Sequence, residues 1–205
     1  MKQVAEHLNN LIVGFLGEDN DDLKSIIEKC YTEPHRKYHT LEHLDTLYNL
    51  FQYYRVLFTD EEYSILCASA LFHDAIYNVK RDDNEKQSSR LARSWIEQNG
   101  VSDDIRKMVE RLINDMYEPG ENFLNDFFQD ADMAILAAPE QIYAEYAENV
   151  KEEYTSQFTD DEYISGRKAF LTHLLCKKKI YRTNIFQSTQ EAVAISNIFT
   201  ELSAL

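Results

Sequence analysis

The chain has 205 residues, 44% of them hydrophobic, and a formal net charge of -15, so it has enough apolar material for one folded core. Such an acidic surface repels phosphates, which argues against a long nucleic acid as partner. No apolar run reaches the roughly 18 residues of a membrane span, and the three cysteines are widely spaced without a Cys-x-x-Cys pair. We therefore predict a cytoplasmic protein with no membrane partner.

Glycine and proline are scarce, at 5 and 3 residues, which leaves few positions for tight hairpins and favours long helices. Apolar residues recur at helical spacing in most segments between polar loops, and strand-like alternation never lasts more than a few residues. The sequence therefore predicts an all-α fold with about nine or ten helices, formed as a single domain over residues 1–205.

Local signals mark the ends of these helices. The first runs from Val4 through Phe15 and stops near Gly17. Thr40 is expected to cap a helix whose first turn contains His43. Thr59, with Glu62 three residues on, forms a capping box for the helix expected to carry the pair His73-Asp74. Later helices are expected over residues 85–99 with Gly100 as the cap, from Ser102 through Met116 to a stop at Pro119-Gly120, and after Pro139, Thr159 and Ser188.

Three segments carry side chains that bind metal ions. His73-Asp74 ends an apolar stretch, residues 38–43 contain two histidines, and residues 130–132 read Asp-Ala-Asp. A buried carboxylate without a partner costs several kcal/mol or more, so it pairs with a cation or several donors. Imidazole and carboxylate ligands without a thiolate suit Mn, Fe, Co, Ni, Zn or Mg. The alternative is a hydrogen-bonded His-Asp pair, with Asp130 and Asp132 as helix caps around a bend.

Four motifs, in order, resemble the HD-domain superfamily of metal-dependent phosphohydrolases, and in particular one branch of predicted HD phosphohydrolases. They are Tyr-His-x-Leu-x-His at 38–43, Phe-His-Asp-Ala-x-Tyr at 72–77, Asn-Glu-x-x-Ser at 84–88 and Asp-Ala-Asp-x-Ala-Ile-Leu at 130–136. The resemblance extends over most of the chain. It implies an HD-type helical bundle and hydrolysis of a small phosphorylated substrate such as a nucleotide.

The resemblance also implies a set of site residues. One divalent metal ion is expected to be bound by His43, His73, Asp74 and one aspartate of the Asp-Ala-Asp motif. Asp132 is preferred, because the superfamily's ligand usually follows an alanine and precedes an apolar helical stretch. Asp130 is the reserve, placed on the substrate side.

We predict further roles for residues around this set. Either Asp74 or Glu85 is expected to take the proton of the attacking water. Arg36 and Lys37 lie on the loop before His39 and are predicted to hold a substrate phosphate, although a solvated basic loop is the plainer interpretation. His39 is expected to orient substrate or water, or to cap the helix, and Tyr77 to line the pocket.

Some features limit the resemblance. The lysine that the superfamily carries after its His-Asp pair is absent, because Ala75, Ile76 and Tyr77 stand there. This argues against the cyclic-dinucleotide phosphodiesterase subgroup and leaves the substrate open. Two other functions stay in view: a non-catalytic metal- or nucleotide-binding HD module, and a structural His-Asp network in a helical interaction protein. A homodimer is also left open.

Overall fold

The computed structural model describes residues 2–114 and 122–205. Within these two ranges the chain forms eleven α-helices and two short 3-10 helices and contains no β-strand, which confirms the all-α prediction. The chain divides into two compact units, Met1–Gly120 and Glu121–Leu205. The single HD-type domain stays a prediction. No helix in the described ranges is both long enough and apolar enough to cross a membrane.

The first unit is built around one helix whose C-terminal part is buried on all sides. Its helices are α1 (Lys2–Leu16), α2 (Asp21–Tyr31), α3 (Leu41–Tyr53), α4 (Asp60–Phe72), α5 (Asn84–Gln98) and α6 (Asp103–Asn114), with a 3-10 helix at Arg55–Leu57. Every residue from Ile65 to Phe72 is buried. A helix that is apolar all round must be covered on all sides, and α1, α3, α5 and α6 pack around α4. The end of α4 is therefore held in the core.

The second unit packs its last helix against a short 3-10 segment. It contains α7 (Phe123–Asp132), α8 (Glu140–Thr155), α9 (Asp160–Cys176), α10 (Asn184–Thr189) and α11 (Glu191–Ala204), with a 3-10 helix at Met133–Ala137. The buried amide of Asn197 donates to the carbonyl oxygens of Leu136 and Ala138, both at 2.9 Å. These two bonds tie α11 to the segment that directly follows α7.

Several of the local signals for helix ends are confirmed. Thr59 with Glu62, and Thr159 with Glu162, form complete capping boxes, and the Thr40 side chain accepts a hydrogen bond from the backbone of α3. The ends of α1 and α5 are followed by glycines at positive φ, Gly17 at 80° and Gly100 at 70°. A left-handed residue after a helix favours glycine because it has no Cβ.

Two expected boundaries need comment. The last helix was expected to start at Ser188, but Ser188 lies inside α10 and the last helix begins at Glu191. The Glu191 carboxylate accepts hydrogen bonds from the backbone of Ile180 (2.9 Å) and Tyr181 (3.2 Å), so a tertiary contact sets this break. It adds one short helix to the expected number. The expected continuation to Met116 and the stop at Pro119-Gly120 lie outside the described residues.

Candidate metal centre

His73 and Asp74 lie at the end of α4 rather than inside it. The helix stops at Phe72, His73 is its C-terminal cap, and Asp74 belongs to the following turn. The expectation that the helix itself carries the pair is therefore corrected. On a regular helix two adjacent side chains point about 100° apart, whereas a turn lets both approach one point.

The ring of His73 is fixed by a hydrogen bond to the backbone. Its Nδ1 lies 2.9 Å from the carbonyl oxygen of Ala70, and a carbonyl can only accept, so Nδ1 carries a proton and donates. In the neutral imidazole the lone pair is then on Nε2. Metal-binding histidines are commonly oriented in this way. His73 is only 2% exposed, so this orientation is held inside the protein.

His43 brings a second imidazole to the same point. It lies in the first turn of α3, as predicted, and is 4% exposed. Its Nε2 atom is 3.1 Å from Nε2 of His73. Two nitrogens that bind one ion at about 2.0–2.1 Å stand about 2.9–3.4 Å apart at adjacent ligand positions. The spacing of the two imidazoles therefore fits a shared cation.

Asp74 adds a carboxylate beside these rings. Its Oδ2 atom lies 3.2 Å from Nε2 of His73 and 3.9 Å from Nε2 of His39. Burial raises the pKa of Asp74, but the protonated form of His73 outweighs burial by its charge and its hydrogen bond, with His39 and His43 adding to it, and holds that pKa well below its usual range. Asp74 is therefore ionised at neutral pH.

The two aspartates of the Asp-Ala-Asp motif have different surroundings. Both lie in the last turn of α7, where residues two apart diverge. Asp130 is buried and accepts three hydrogen bonds of 2.7 Å, from the backbone of Arg182 and from the backbone and hydroxyl of Thr183. Asp130 is thus engaged inside its own unit.

Asp132 is half-buried in the last turn of α7. Its role as a metal ligand stays a prediction. Within the first unit, His43, His73 and Asp74 form a donor set of two imidazoles and a carboxylate, without a thiolate. This set fits divalent metals such as Mn, Fe, Co, Ni or Zn.

Arg36 has a different place from the one expected of a phosphate ligand. The residue is 4% exposed. Its guanidinium donates to Glu33 and to the backbone carbonyl oxygens of His39, Asp74 and Ala75. Every nitrogen of the guanidinium therefore has at least one acceptor. The predicted contact between Arg36 and a phosphate does not fit this arrangement.

Other predicted residues of the same loop lie close to the cluster. The ring of Tyr77 stacks on that of His39, with centroids 4.2 Å apart and planes 30° apart. Tyr38 contacts the rings of both His39 and His43. Lys37 is exposed to solvent. The structure therefore brings His39 and Tyr77 to the centre and leaves Lys37 at the surface of the loop.

Glu85 stands between Asn84, which hydrogen-bonds to Asn78, and Ser88, which hydrogen-bonds to Ile76. It is half-buried in the first turn of α5 and lines a cleft of about 720 Å³ whose walls come from α5 and α6. His39, His43, His73 and Asp74 are not among the residues that line this cleft. The catalytic role of Glu85 stays a prediction.

Sequence reasoning assigned no role to Tyr31 and His35, which contact the turn after His73. The Tyr31 hydroxyl accepts from the backbone of Asp74 and donates to the carbonyl of Ala70, both at 3.3 Å. Nε2 of His35 lies 2.9 Å from the carbonyl oxygen of Tyr77. Tyr31 follows Leu23 and Ile27 at helical spacing, which indicates only a core position.

Comparisons with known proteins assign no family. The chain matches no protein-family model, no curated protein and no solved structure. The described residues thus form an all-helical fold in which the buried imidazoles of His43 and His73, with Asp74 beside them, could hold a metal ion.

Proposed function

We propose that the chain is a metal-dependent phosphohydrolase of the HD type that acts on a small phosphorylated substrate such as a nucleotide. The observation that carries this proposal is the buried pair of Nε2 atoms of His43 and His73, 3.1 Å apart, with an ionised Asp74 beside them. The order of the four HD-like motifs along the chain supports the same activity.

His43, His73 and Asp74 would hold the ion, and the motif resemblance implies Asp132 as a further ligand. The bond from His73 to the carbonyl of Ala70 keeps the Nε2 lone pair directed at the centre. A bound divalent ion supplies a Lewis acid for a phosphoryl oxygen and lowers the pKa of a bound water. Its charge also offsets the carboxylates, which lets an acidic protein accept a phosphate.

Asp74 is the residue we propose to accept the proton of the attacking water. Its side chain is 20% exposed, so it reaches both the buried histidines and the solvent side. A general base within hydrogen-bond reach contributes typically 10²- to 10⁴-fold in rate. His39, 3.9 Å from the same carboxylate oxygen, would orient Asp74 or the substrate. Lys37, which is exposed on the loop before His39, is the cation that we propose for the phosphate.

The proposal is tested with purified protein. Metal content is measured by mass spectrometry, and phosphate release from nucleotides and simple phosphoesters is measured with Mn, Co or Mg. We expect about one ion per chain and metal-dependent turnover, both lost in His73→Ala. The matched control is His173→Ala, which removes an exposed histidine of α9 and should retain both.

Three results separate the possible functions. Absence of metal and of turnover, with His73→Ala behaving like the wild type, would overturn the proposal. Bound metal and a nucleotide-dependent rise in Tm without turnover would indicate a non-catalytic binding module instead. A Tm that chelator leaves unchanged in a protein without activity would leave only the structural His-Asp network.

A further inference from the structure

We infer that Arg36 is a positioning residue, which holds the segment of His39 and His43 and the turn of His73 and Asp74 at the separation at which their metal-binding atoms meet. This inference rests on the metal site of the proposed function. It assigns Arg36 no contact with metal or substrate.

The hydrogen bonds of Arg36 connect the two segments directly. One guanidinium nitrogen, Nη1, donates to the carbonyl oxygens of His39 (3.2 Å) and Asp74 (2.7 Å). The other, Nη2, donates to the carbonyl oxygen of Ala75 (3.1 Å) and contacts Glu33 (3.0 Å). His39 and Asp74 are 35 residues apart in the chain, yet one side-chain atom binds the backbone of both. A displacement of Nη1 would weaken its bond to His39 or to Asp74, so this atom constrains the distance between the two segments.

Aromatic rings hold the guanidinium in place. Its central carbon lies 5.1 Å from the ring centroid of Tyr31 and 5.3 Å from that of Tyr77. Both distances are within the range of cation–π attraction. The Tyr31 hydroxyl also accepts from the backbone N–H of Asp74 (3.3 Å). The same ring therefore supports the guanidinium on one side and the turn that carries Asp74 on the other.

Lysine could not replace this arrangement. Arginine presents five N–H donors in a rigid plane, whereas lysine has three donors on one flexible ammonium group. An ammonium group at position 36 would reach only part of the present set of acceptors. Binding geometries must be kept to within about 0.5 Å, so a partial loss of these bonds should weaken metal binding even in a folded protein.

Arg55 offers a matched control within the same unit. Its guanidinium lies 4.4 Å from the ring centroid of Tyr63, donates to the carbonyl oxygen of Phe58 (2.7 Å) and pairs with Asp60. It thus makes the same kinds of contact as Arg36. It does so at the start of α4, about 20 Å along the helix from His73.

The experiment compares Arg36→Lys with Arg55→Lys. Tm is measured for the metal-free proteins, Co²⁺ affinity by titration, and the ligand geometry by the visible absorption of bound Co²⁺. We expect both variants to lose Tm. Only Arg36→Lys should bind Co²⁺ about 10- to 100-fold more weakly, as found for groups that orient metal ligands, with an altered absorption spectrum.

A second variant keeps the inference testable if Arg36→Lys does not fold. Glu33 is 43% exposed and contacts the same guanidinium. Glu33→Gln should therefore fold, and should weaken Co²⁺ binding about two- to fivefold, the effect of one weakened hydrogen bond. Unchanged Co²⁺ affinity in Glu33→Gln would then count against the inference.

The outcomes separate this inference from the proposed function. If the wild type binds Co²⁺ and Arg36→Lys matches Arg55→Lys in affinity and spectrum, the inference is wrong and the proposed metal site stands. If the wild type binds no metal ion at all, the proposed function fails and the inference fails with it.

Discussion

Asp74 and Asp130 are two aspartates of metal-binding motifs, one in each compact unit, and their partners differ in kind. Asp130 is 2% exposed and accepts hydrogen bonds from two backbone N–H groups and a hydroxyl of residues 182–183. Asp74 faces the imidazoles of His73 and His39. The backbone N–H groups around Asp130 cannot bind a cation, whereas the imidazoles around Asp74 can. The partners of a carboxylate therefore indicate its role better than its motif does.

The pKa values of the two aspartates are shifted in opposite directions. Burial raises the pKa of Asp130, although the hydrogen bonds from Arg182 and Thr183 oppose this. Burial also raises the pKa of Asp74, but there the neighbouring imidazoles outweigh it and lower the pKa. Asp74 is thus a charged carboxylate that faces imidazoles, and Asp130 is the one used to hold α7 to the segment before α10.

The strongest test of this comparison is Asp74→Asn. It keeps the size of the side chain and removes the charge of a residue proposed as both ligand and base. We therefore expect weaker metal binding and, in the metal-saturated protein, turnover lower by about 10²- to 10⁴-fold, with the Tm of the metal-free protein close to that of the wild type. Metal titration, phosphate release by the metal-loaded protein and a thermal melt measure these quantities. Full activity in a variant that still binds metal would show that Asp74 is not the base.

The converse variant is Asp130→Asn. Both oxygens of Asp130 accept hydrogen bonds, and the amide nitrogen of asparagine cannot accept one, so at least one buried donor of residues 182–183 loses its acceptor. The free energy of unfolding should therefore fall by about 2–3 kcal/mol. Metal binding per folded molecule should be unchanged. Urea unfolding and metal titration measure these two quantities. A variant as stable as the wild type that no longer binds metal would reverse the roles of the two aspartates.

A smaller effect is expected from Thr183→Val. The Thr183 hydroxyl donates to Asp130 (2.7 Å) and accepts from the backbone of Phe186 as the cap of α10 (3.4 Å). Its loss should cost about 1–2 kcal/mol of unfolding free energy. Thr200→Val is the control, because the Thr200 hydroxyl is exposed and bonds only within α11. Equal stability of the two variants would argue against a structural role for the Asp130 cluster.

Glu110 extends the comparison to a third acid, and its effect should be the smallest. Burial raises the pKa of Glu110, but hydrogen bonds from Arg93 and Arg106 outweigh it and lower the pKa. Ionised Glu110 therefore stabilises the fold above its ordinary pKa, and this contribution is lost as the pH falls through the lowered pKa. Because Arg93 is about half exposed, the ion pair is worth about 0–1 kcal/mol.

The measurement for Glu110 is Tm between pH 7 and pH 3 for the wild type and Glu110→Gln. The wild type should be the more stable at pH 7 and should lose this advantage below about pH 4.5, so the two curves converge in acid. Parallel curves over the whole range would mean that Glu110 contributes through its shape and not through its charge.

The position of His43 was predicted from the sequence, whereas the surroundings of Arg36 were not. His43 in the first turn of a helix followed from the cap at Thr40, and the preference for Asp132 over Asp130 stays a prediction. Arg36 was assigned to a phosphate because a basic loop looks exposed. Its acceptors lie on backbone carbonyls up to 39 residues away, which no local pattern reveals.

The sequence by itself determined most of the helix ends that depend on local caps, and which residue types can bind a metal ion. Capping boxes and glycine ends depend on groups within a few residues of one another, so they can be recognised in the chain alone. Only the tertiary structure decided that His73 and Asp74 leave the helix together, that Arg36 faces inward and that Asp130 is engaged by residues 182–183. Each of these depends on partners that are distant in sequence and that packing alone brings into contact.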